Sequence, residues 1–131
     1  MTQDFPDVEG AVKAAAKVAL PSVFGHVFYA VPAGQPGLPL LTVSQISGGP
    51  DEGEAPTASI RLTFACWGAN KLEAVTLKRA LVSWLRGLNN VNLDPTCFCY
   101  GVTFIAETWL PDDEAQLARY VVDATFTVRS A

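Results

Sequence analysis

The sequence predicts an α+β domain in which a mainly antiparallel five-stranded sheet carries two helices packed on one face, in the order α-β-β-β-α-β-β. Two segments carry apolar residues at helical spacing, whereas five segments alternate apolar and polar residues, as strands with one buried face do. None of the five is the continuous apolar run of a strand buried on both faces. We therefore expect the second face of the sheet to be available to something other than a helix.

The first helix is predicted over residues 4–20, where apolar residues recur at helical spacing. Asp4 is placed at the N-cap, and Asp7 and Glu9 lie near the positive end of the helix dipole. Pro21 is expected to end the helix because its ring cannot continue the hydrogen-bond ladder. The apolar stripe consists of Val8, Ala11, Val12, Ala15, Ala19 and Leu20.

Two strands are predicted next, at residues 26–31 and 40–46. Residues 32–37 between them are rich in Pro and Gly, which is typical of a turn, so the two strands are expected to be antiparallel neighbours. Residues 47–57 hold three Gly, two Pro and three acidic residues. This composition predicts a protruding, mobile loop rather than a packed element.

The remaining strands are predicted from strict alternation. In residues 60–66 every second side chain is apolar, which places Arg61 and Trp67 on the opposite face of the strand. Residues 99–109 and 117–129 are rich in β-branched and aromatic residues and form the last pair. The alternation in the final segment is the longest in the chain and predicts a strand with one core face.

The second helix has the clearest start signal. Asn70 followed by Glu73 has the spacing of a reciprocal capping box. Gly87 is expected to end the helix in the left-handed conformation, and residues 89–95 are expected to continue as a loop. The broad apolar stripe of this helix consists of Ala74, Leu77, Leu81, Trp84, Leu85 and Leu88.

Length and composition predict one domain over residues 1–131. Half of the 131 residues are apolar and 17% are charged, a composition far from that of disordered chains. The net charge of -4 gives no positive field to attract nucleic acid or anionic lipid. The acidic N-terminus lacks an apolar region, and no apolar run is long enough to span a bilayer. We therefore expect a soluble protein made in a cytosol, without a membrane partner.

The sequence offers little for catalysis. His26 is the single histidine, so it is the only residue that could act as the base of a Ser-His-Asp or Cys-His arrangement. Cys66, Cys97 and Cys99 fit reduced thiols, and a zinc site built on the last two would lack its fourth ligand. No nucleophile-elbow, zinc-protease or phosphate-loop motif occurs. No catalytic, cofactor-binding or metal-binding residue is predicted, and a small enzyme or ligand-binding domain is the less favoured alternative.

Charged and aromatic residues supply the candidate contacts. Acidic residues cluster at residues 51–54 and 112–114, where solvated loop charge is the plain interpretation. Four cations lie on the outer side of the second helix, and a solvated face competes there with a contact to an acidic partner. These cations are Lys71, Lys78, Arg79 and Arg86. Trp84 belongs to a core stripe, whereas Trp67 and Trp109 lie on less buried strand faces, which suggests an interface.

The order of elements also has a family likeness. A first helix leads into the strand segments 26–32 and 38–43, and residues 60–70 then form a strand that ends in an aromatic residue and runs directly into a long helix. Residues 120–129 close the chain as the final strand. Over about residues 4–130 this order resembles the tail terminator proteins of long-tailed, non-contractile bacteriophages (siphophages).

The resemblance implies a structural virion protein rather than an enzyme. Its subunits would form a ring, expected to be a hexamer, that caps the tail tube, stops its polymerisation and offers the surface that joins the head. The implied partners are further copies of the chain, the major tail tube protein and a neck or head-completion protein, while viral DNA passes through the lumen without specific binding. The implied location is the head-proximal end of the virion tail, after assembly in the cytoplasm of the host bacterium.

On this hypothesis six residues are interface candidates. The acidic residues of the predicted loop would contact the tube or the neck, and Arg61 and Trp67 would lie near a subunit boundary. The candidates are Arg61, Trp67, Trp109, Asp51, Glu52 and Glu54. Another neck or tail-completion protein, or a tail tube subunit, is the alternative within the same class.

Overall fold

The computed structural model describes residues 7–20, 26–29, 37–50, 57–113 and 117–130. Within these ranges the chain forms two helices and one six-stranded sheet with the strand order β1-β2-β3-β6-β5-β4. The elements are α1 (Val8–Ala19), β1 (Val27–Phe28), β2 (Leu40–Pro50), β3 (Thr57–Gly68), α2 (Lys71–Arg86), β4 (Val91–Asp94), β5 (Cys97–Trp109) and β6 (Ala118–Ser130). Every pair of neighbouring strands is antiparallel except β1 and β2.

The α+β class is confirmed, whereas the prediction of five strands in the order α-β-β-β-α-β-β is wrong. The structure adds β4 where residues 89–95 were expected to form a loop. Asn90 has a φ of 54°, in the left-handed region that asparagine tolerates, and its N–H donates to the Tyr100 carbonyl at 3.2 Å. The chain therefore turns back against β5 and pairs Val91 with Cys99.

The relative direction of β1 and β2 also differs from the prediction. Val27 pairs with Leu41 in a parallel ladder, and the Leu41 N–H donates to the His26 carbonyl at 3.0 Å. Pro and Gly in the connecting segment predict that the chain changes direction there. They do not determine whether the second strand runs parallel or antiparallel to the first. The same composition therefore serves a hairpin and a crossover.

Part of the predicted mobile loop is a regular strand. β2 continues to Pro50, which pairs with Ala58 of β3, so the loop prediction is wrong for residues 47–50 and for Thr57. Main-chain pairing holds these residues after a register shift beyond Gln45. The rest of the predicted loop, residues 51–56, lies outside the described residues.

Both helices pack on the same face of the sheet. One continuous buried cluster contains residues of α1, of α2 and of the alternate positions of the strands that face them. α2 lies over β3, β5 and β6, whereas α1 contacts β1 and β2 near one edge and β4 at the other. The sheet therefore curls around α1. The largest fully buried side chains of the core include Phe64, Phe126, Ile60, Leu62 and Leu81.

The ends of α1 follow local chemistry. The helix begins at Val8 with Asp7 as its N-cap, whose Oδ1 accepts from the Gly10 N–H at 3.0 Å. The expected cap, Asp4, lies outside the described residues. The helix ends at Ala19, one residue before the predicted end, with Leu20 as its C-cap.

Asn70 caps the start of α2, as predicted, whereas the return bond to Glu73 comes from the residue before the cap. Asn70 Oδ1 accepts from the Glu73 N–H at 2.9 Å, and Glu73 Oε1 accepts from the Ala69 N–H at 3.1 Å. The expected left-handed end at Gly87 is wrong, because its φ of -87° and ψ of -4° are right-handed helical values. Asn90 has the left-handed conformation instead.

Replacing Asn70 tests the contribution of this cap. We expect Asn70→Ala to lower the free energy of unfolding by about 1 kcal/mol, because one helix N–H loses its acceptor. Urea unfolding of the variant beside Asn70→Asp, which keeps a capping oxygen, measures the effect. Asn92→Ala, at an exposed position of β4, is the control. Equal midpoints for Asn70→Ala and the wild type would contradict the capping role.

Candidate functional site

The candidate site is the face of the sheet on which neither described helix packs, which we call the open face. Backbone alternation places every second residue of β3 and β6 on it, and the register of these two strands aligns them side by side. These residues are Ser59, Arg61, Thr63, Ala65 and Trp67 on β3, and Arg119, Val121, Asp123, Thr125, Thr127 and Arg129 on β6. The open face is thus mostly polar and small, with an arginine near each end of β6.

A charged cluster lies in the middle of the open face. Thr63 pairs with Asp123 across the two strands, and its Oγ1 donates to Asp123 Oδ1 at 2.6 Å. Arg61 Nη2 lies 3.9 Å from Asp123 Oδ2, with 41% of the arginine side chain and 24% of the aspartate side chain exposed. An ion pair this open contributes little to stability. The Arg61 guanidinium is therefore oriented by Asp123 yet open to a contact outside the subunit.

Trp67 is covered, which corrects the expectation of a less buried tryptophan at this strand end. It is only 7% exposed. The Arg119 guanidinium carbon lies 4.9 Å from the centre of the Trp67 ring, and the Trp67 Nε1 donates to Thr42 Oγ1 at 3.4 Å. Arg119 is itself held, because its Nε donates to the Leu110 carbonyl at 2.7 Å. At this end the open face presents an arginine lying over a tryptophan rather than a bare indole.

Trp109 lies on the other side of the sheet. It is half-buried beside Tyr120 at 5.5 Å between ring centres, and Lys71 Nζ of α2 lies 4.9 Å from the centre of its ring. The structure therefore places Trp67 and Trp109 at the same end of the sheet but on opposite faces. Trp84 packs partly buried against the core, as the helical stripe predicted.

A second cation and aromatic cluster was missed by sequence reasoning. Phe98 and Tyr100 of β5 meet edge to face at 5.1 Å, and the Arg129 guanidinium carbon lies 4.3 Å from the centre of the Phe98 ring. The spacing of the two aromatic residues in the sequence was the available signal. Their arginine partner becomes visible only once the register pairs Phe98 with Arg129.

The cations of α2 divide into two pairs. Lys71 and Lys78 fold back onto the domain, since Lys78 Nζ lies 3.3 Å from Glu107 Oε1 and 4.7 Å from the centre of the Tyr120 ring. Arg79 and Arg86 are exposed. A cleft of about 280 Å³ runs beside them, and we call it the α2 groove. Its lining residues are Lys78, Arg79, Val82, Ser83, Arg86 and Glu107.

The three cysteines are buried and unpaired. Burial raises the pKa of the Cys66 thiol to about 12. Burial, followed by the carboxylate of Asp94 and the neighbouring Cys99, raises the pKa of Cys97 to about 12 as well. In the part of the chain that the structure describes, no three His, Cys, Asp or Glu side chains are grouped so that they could hold a metal ion.

Buried thiols predict slow modification in the folded protein. At pH 8 we expect a disulfide-exchange reagent to react with Cys66 and Cys97 at least roughly 100-fold more slowly than with the unfolded chain, because burial raises the pKa of both thiols to about 12 and leaves little thiolate. The free energy of unfolding should also fall as the pH rises above about 9, since unfolded thiols then ionise while folded ones stay protonated. Rapid native labelling of either thiol would contradict this, with full labelling in denaturant as the control.

The other predicted positions are placed as follows. Asp51, Glu52 and Glu54 lie outside the described residues. His26 is half-buried ahead of β1, where its carbonyl accepts from β2. Neither described helix is long and apolar enough to cross a membrane.

Comparison with known proteins gives a likeness of fold. No family model matches the chain. No curated protein matches it either. Among solved structures, it is similar to a chain of the virion of a native gene transfer agent (GTA) particle, with a TM-score of 0.70 and 19% sequence identity. The match covers 94% of this chain and 98% of the other, so the two share one fold from end to end.

Proposed function

We propose that the protein is a structural subunit of a phage-like virion. The observation that carries the proposal is the end-to-end likeness of fold to a chain of a gene transfer agent virion, with 94% of this chain covered. The open face supports it, because a sheet face that neither described helix covers leaves room for neighbouring subunits.

Within that class, we infer that the subunit is the tail terminator. It forms a ring of identical copies, a hexamer on this proposal, at the head-proximal end of the finished tail tube. Closed rotational symmetry satisfies the contacts around the ring. On this proposal the ring ends growth along the tube because its outer side does not bind a further layer of tube protein. Its partners are its own copies, the tube protein and a neck protein, and the acidic balance of the chain suits a lumen through which DNA slides without binding.

Three predicted interface residues have distinct roles in this proposal. Arg61 reaches a neighbouring subunit directly from the open face. Trp67 acts beneath the surface by supporting Arg119, and Trp109 supports Lys71 in the same way on the helix side. The acidic residues Asp51, Glu52 and Glu54 contact the tube or the neck.

Imaging of the protein mixed with purified tail tubes tests the proposal. We expect negative-stain micrographs to show a ring of density at one end of each tube, and tubes assembled in its presence to have a uniform length. Filaments formed by the protein alone would assign it to the tube instead. Absence of density at either tube end would contradict the terminator role.

Substitution of Arg61 tests the subunit boundary. We expect Arg61→Glu to lower the fraction of capped tubes at least tenfold, because the reversed charge meets the neighbouring subunit and the Asp123 carboxylate at once. Arg61→Lys keeps the charge and is the matched control. Unchanged capping by a folded Arg61→Glu variant would remove this residue from the interface.

A further inference from the structure

The outer edge of β5 is only partly paired. β6 lies along one side of β5 over its whole length, whereas β4 lies along the other side only at residues 97–99. Beyond this pairing, the Asn90 N–H donates to the Tyr100 carbonyl at 3.2 Å. In the part of the chain that the structure describes, no strand lies beside residues 101–109 on that side. Alternate main-chain N–H and C=O groups of this segment therefore face outward, and we call residues 101–109 the free edge.

The opposite edge of the sheet is closed by the chain itself. There the N–H of Gln45, on β2 beyond its pairing with β1, donates to Glu9 Oε2 of α1. A side chain of the same subunit thus takes up a main-chain donor that an added strand would need. The free edge differs, since Thr103, Ala106 and Thr108 are exposed along it. It is therefore open to an extended segment from outside.

The α2 groove lies on the helix side of the free edge. Glu107 of the free edge forms one wall and pairs with Lys78 of the helix, with 3.3 Å between Oε1 and Nζ. Val82 is buried along the helix wall, and Arg79 and Arg86 are exposed. Three cations and one carboxylate thus line the groove. A free strand edge and a positively charged groove therefore lie side by side.

A strand added to the free edge would use both features. Its side chains would point alternately to the two faces of the sheet, so every second one would enter the α2 groove. Arg79 and Arg86 are about 10 Å apart along the helix axis, and side chains on one face of a strand recur at about 6.6 Å. Acidic residues at every second position would therefore bring carboxylates within reach of both arginines. Arg79 forms no ion pair with another residue in the described ranges.

The opposite edge of a second copy does not offer such a strand. β1 and β2, the two strands at that edge, contain no acidic residue. Pairing of this edge with the free edge would bring no carboxylate from either strand to the cations of the groove. An acidic segment of another protein complements the edge and the groove together.

We propose that the free edge of β5 binds an extended acidic segment of another protein. The segment adds to the sheet as a strand and places acidic side chains in the α2 groove, where they face Arg79 and Arg86. The proposal goes beyond the proposed function, because this binding site does not depend on whether the subunit caps a tail tube. It explains why one edge of the sheet is closed by Glu9 while the edge beside the cations is left open.

Peptide binding to the full chain tests this site. The probe is a fluorescent octapeptide with blocked ends in which glutamate and threonine alternate. We expect saturable binding by fluorescence anisotropy, and about tenfold weaker binding when lysine replaces glutamate, because the groove repels cations. Methylation of the glutamate nitrogens and of the threonine nitrogens should have unequal effects, since an added strand turns only one of these two sets toward the edge.

Variants of the groove locate the binding. Arg79→Glu should weaken binding of the glutamate peptide about tenfold, whereas Arg79→Lys keeps the charge and should stay within about threefold of the wild type. Lys17→Glu makes the same change in net charge on α1 as Arg79→Glu and is the matched control, with circular dichroism to verify folding. Bound peptide should also slow amide exchange on both sides of the bulge between Phe104 and Ala106, and leave β3 unchanged.

Four results would overturn the proposal. One is the absence of saturable binding, and another is binding without protection of the free edge, which would reduce the site to an ionic contact. Tighter binding of duplex DNA than of the peptide, lost in Arg79→Glu, would assign the groove to phosphate. Protection of the free edge that grows with protein concentration in the absence of peptide would assign it to a second copy. The terminator role is tested separately, on tail tubes.

Discussion

Phe64→Ala is expected to lower the free energy of unfolding by about 3–5 kcal/mol, because removal of a fully buried aromatic side chain loses its transfer energy and leaves a cavity. Phe64 lies at the centre of β3, wholly buried, and its ring centre is 6.2 Å from that of Phe126 on β6. A domain of this size is stable by roughly 5–15 kcal/mol, so one substitution removes a large part of the total. Thermal unfolding should show a midpoint lower by roughly 10–20 °C.

Two further variants separate burial from loss of an aromatic ring. Phe64→Leu keeps most of the apolar volume and should lose less than half as much stability. Tyr100→Ala removes a ring that is 40% exposed and packs only at the end of the open face, so its effect should stay near 1 kcal/mol. Similar losses for Tyr100→Ala and Phe64→Ala would show that the core does not extend through β3 as described.

The elements that the sequence predicted best are those with a long, unbroken period. β3 and β6 alternate over their whole length, and α2 combines a broad apolar stripe with a capping box. β4 was missed because four residues are too few for a period to be visible beside Asn and Pro. The parallel direction of β1 was missed because direction depends on how the sheet curls around α1, which no local pattern records.

The candidate site was only partly predictable, because its contacts join strands that are far apart in the sequence. Alternation alone places Arg61 on the face opposite the core, and the structure agrees. The partner of Arg61, Asp123, is brought beside it by the register between two strands that are far apart in the sequence. Likewise, Trp67 belongs to an exposed face by alternation, yet Arg119 from another strand covers it. Whether a side chain from one strand covers a residue of another depends on the tertiary structure, which alternation within a single strand does not predict.

The connection between β3 and α2 is closely packed against the backbone of the helix. Gly68 is buried where the strand ends, and a Cβ atom placed on it would lie 2.7 Å from the Ala74 nitrogen and 2.9 Å from the Glu73 Cβ. The Ala74 nitrogen belongs to the helix backbone, which cannot rotate away. The helix start must therefore move if any side chain is added here.

Gly68→Ala is accordingly expected to lower the free energy of unfolding by about 2–3 kcal/mol, as overpacking displaces α2 and strains its cap. Gly87→Ala is the matched control at the other end of the helix. A Cβ atom there would lie 3.5 Å from the Trp84 carbonyl oxygen, an ordinary contact, and its φ of -87° suits alanine. Its stability should be unchanged or slightly higher, because alanine restricts the unfolded chain. Equal unfolding curves for the two variants in urea would contradict the close packing of α2 against the end of β3.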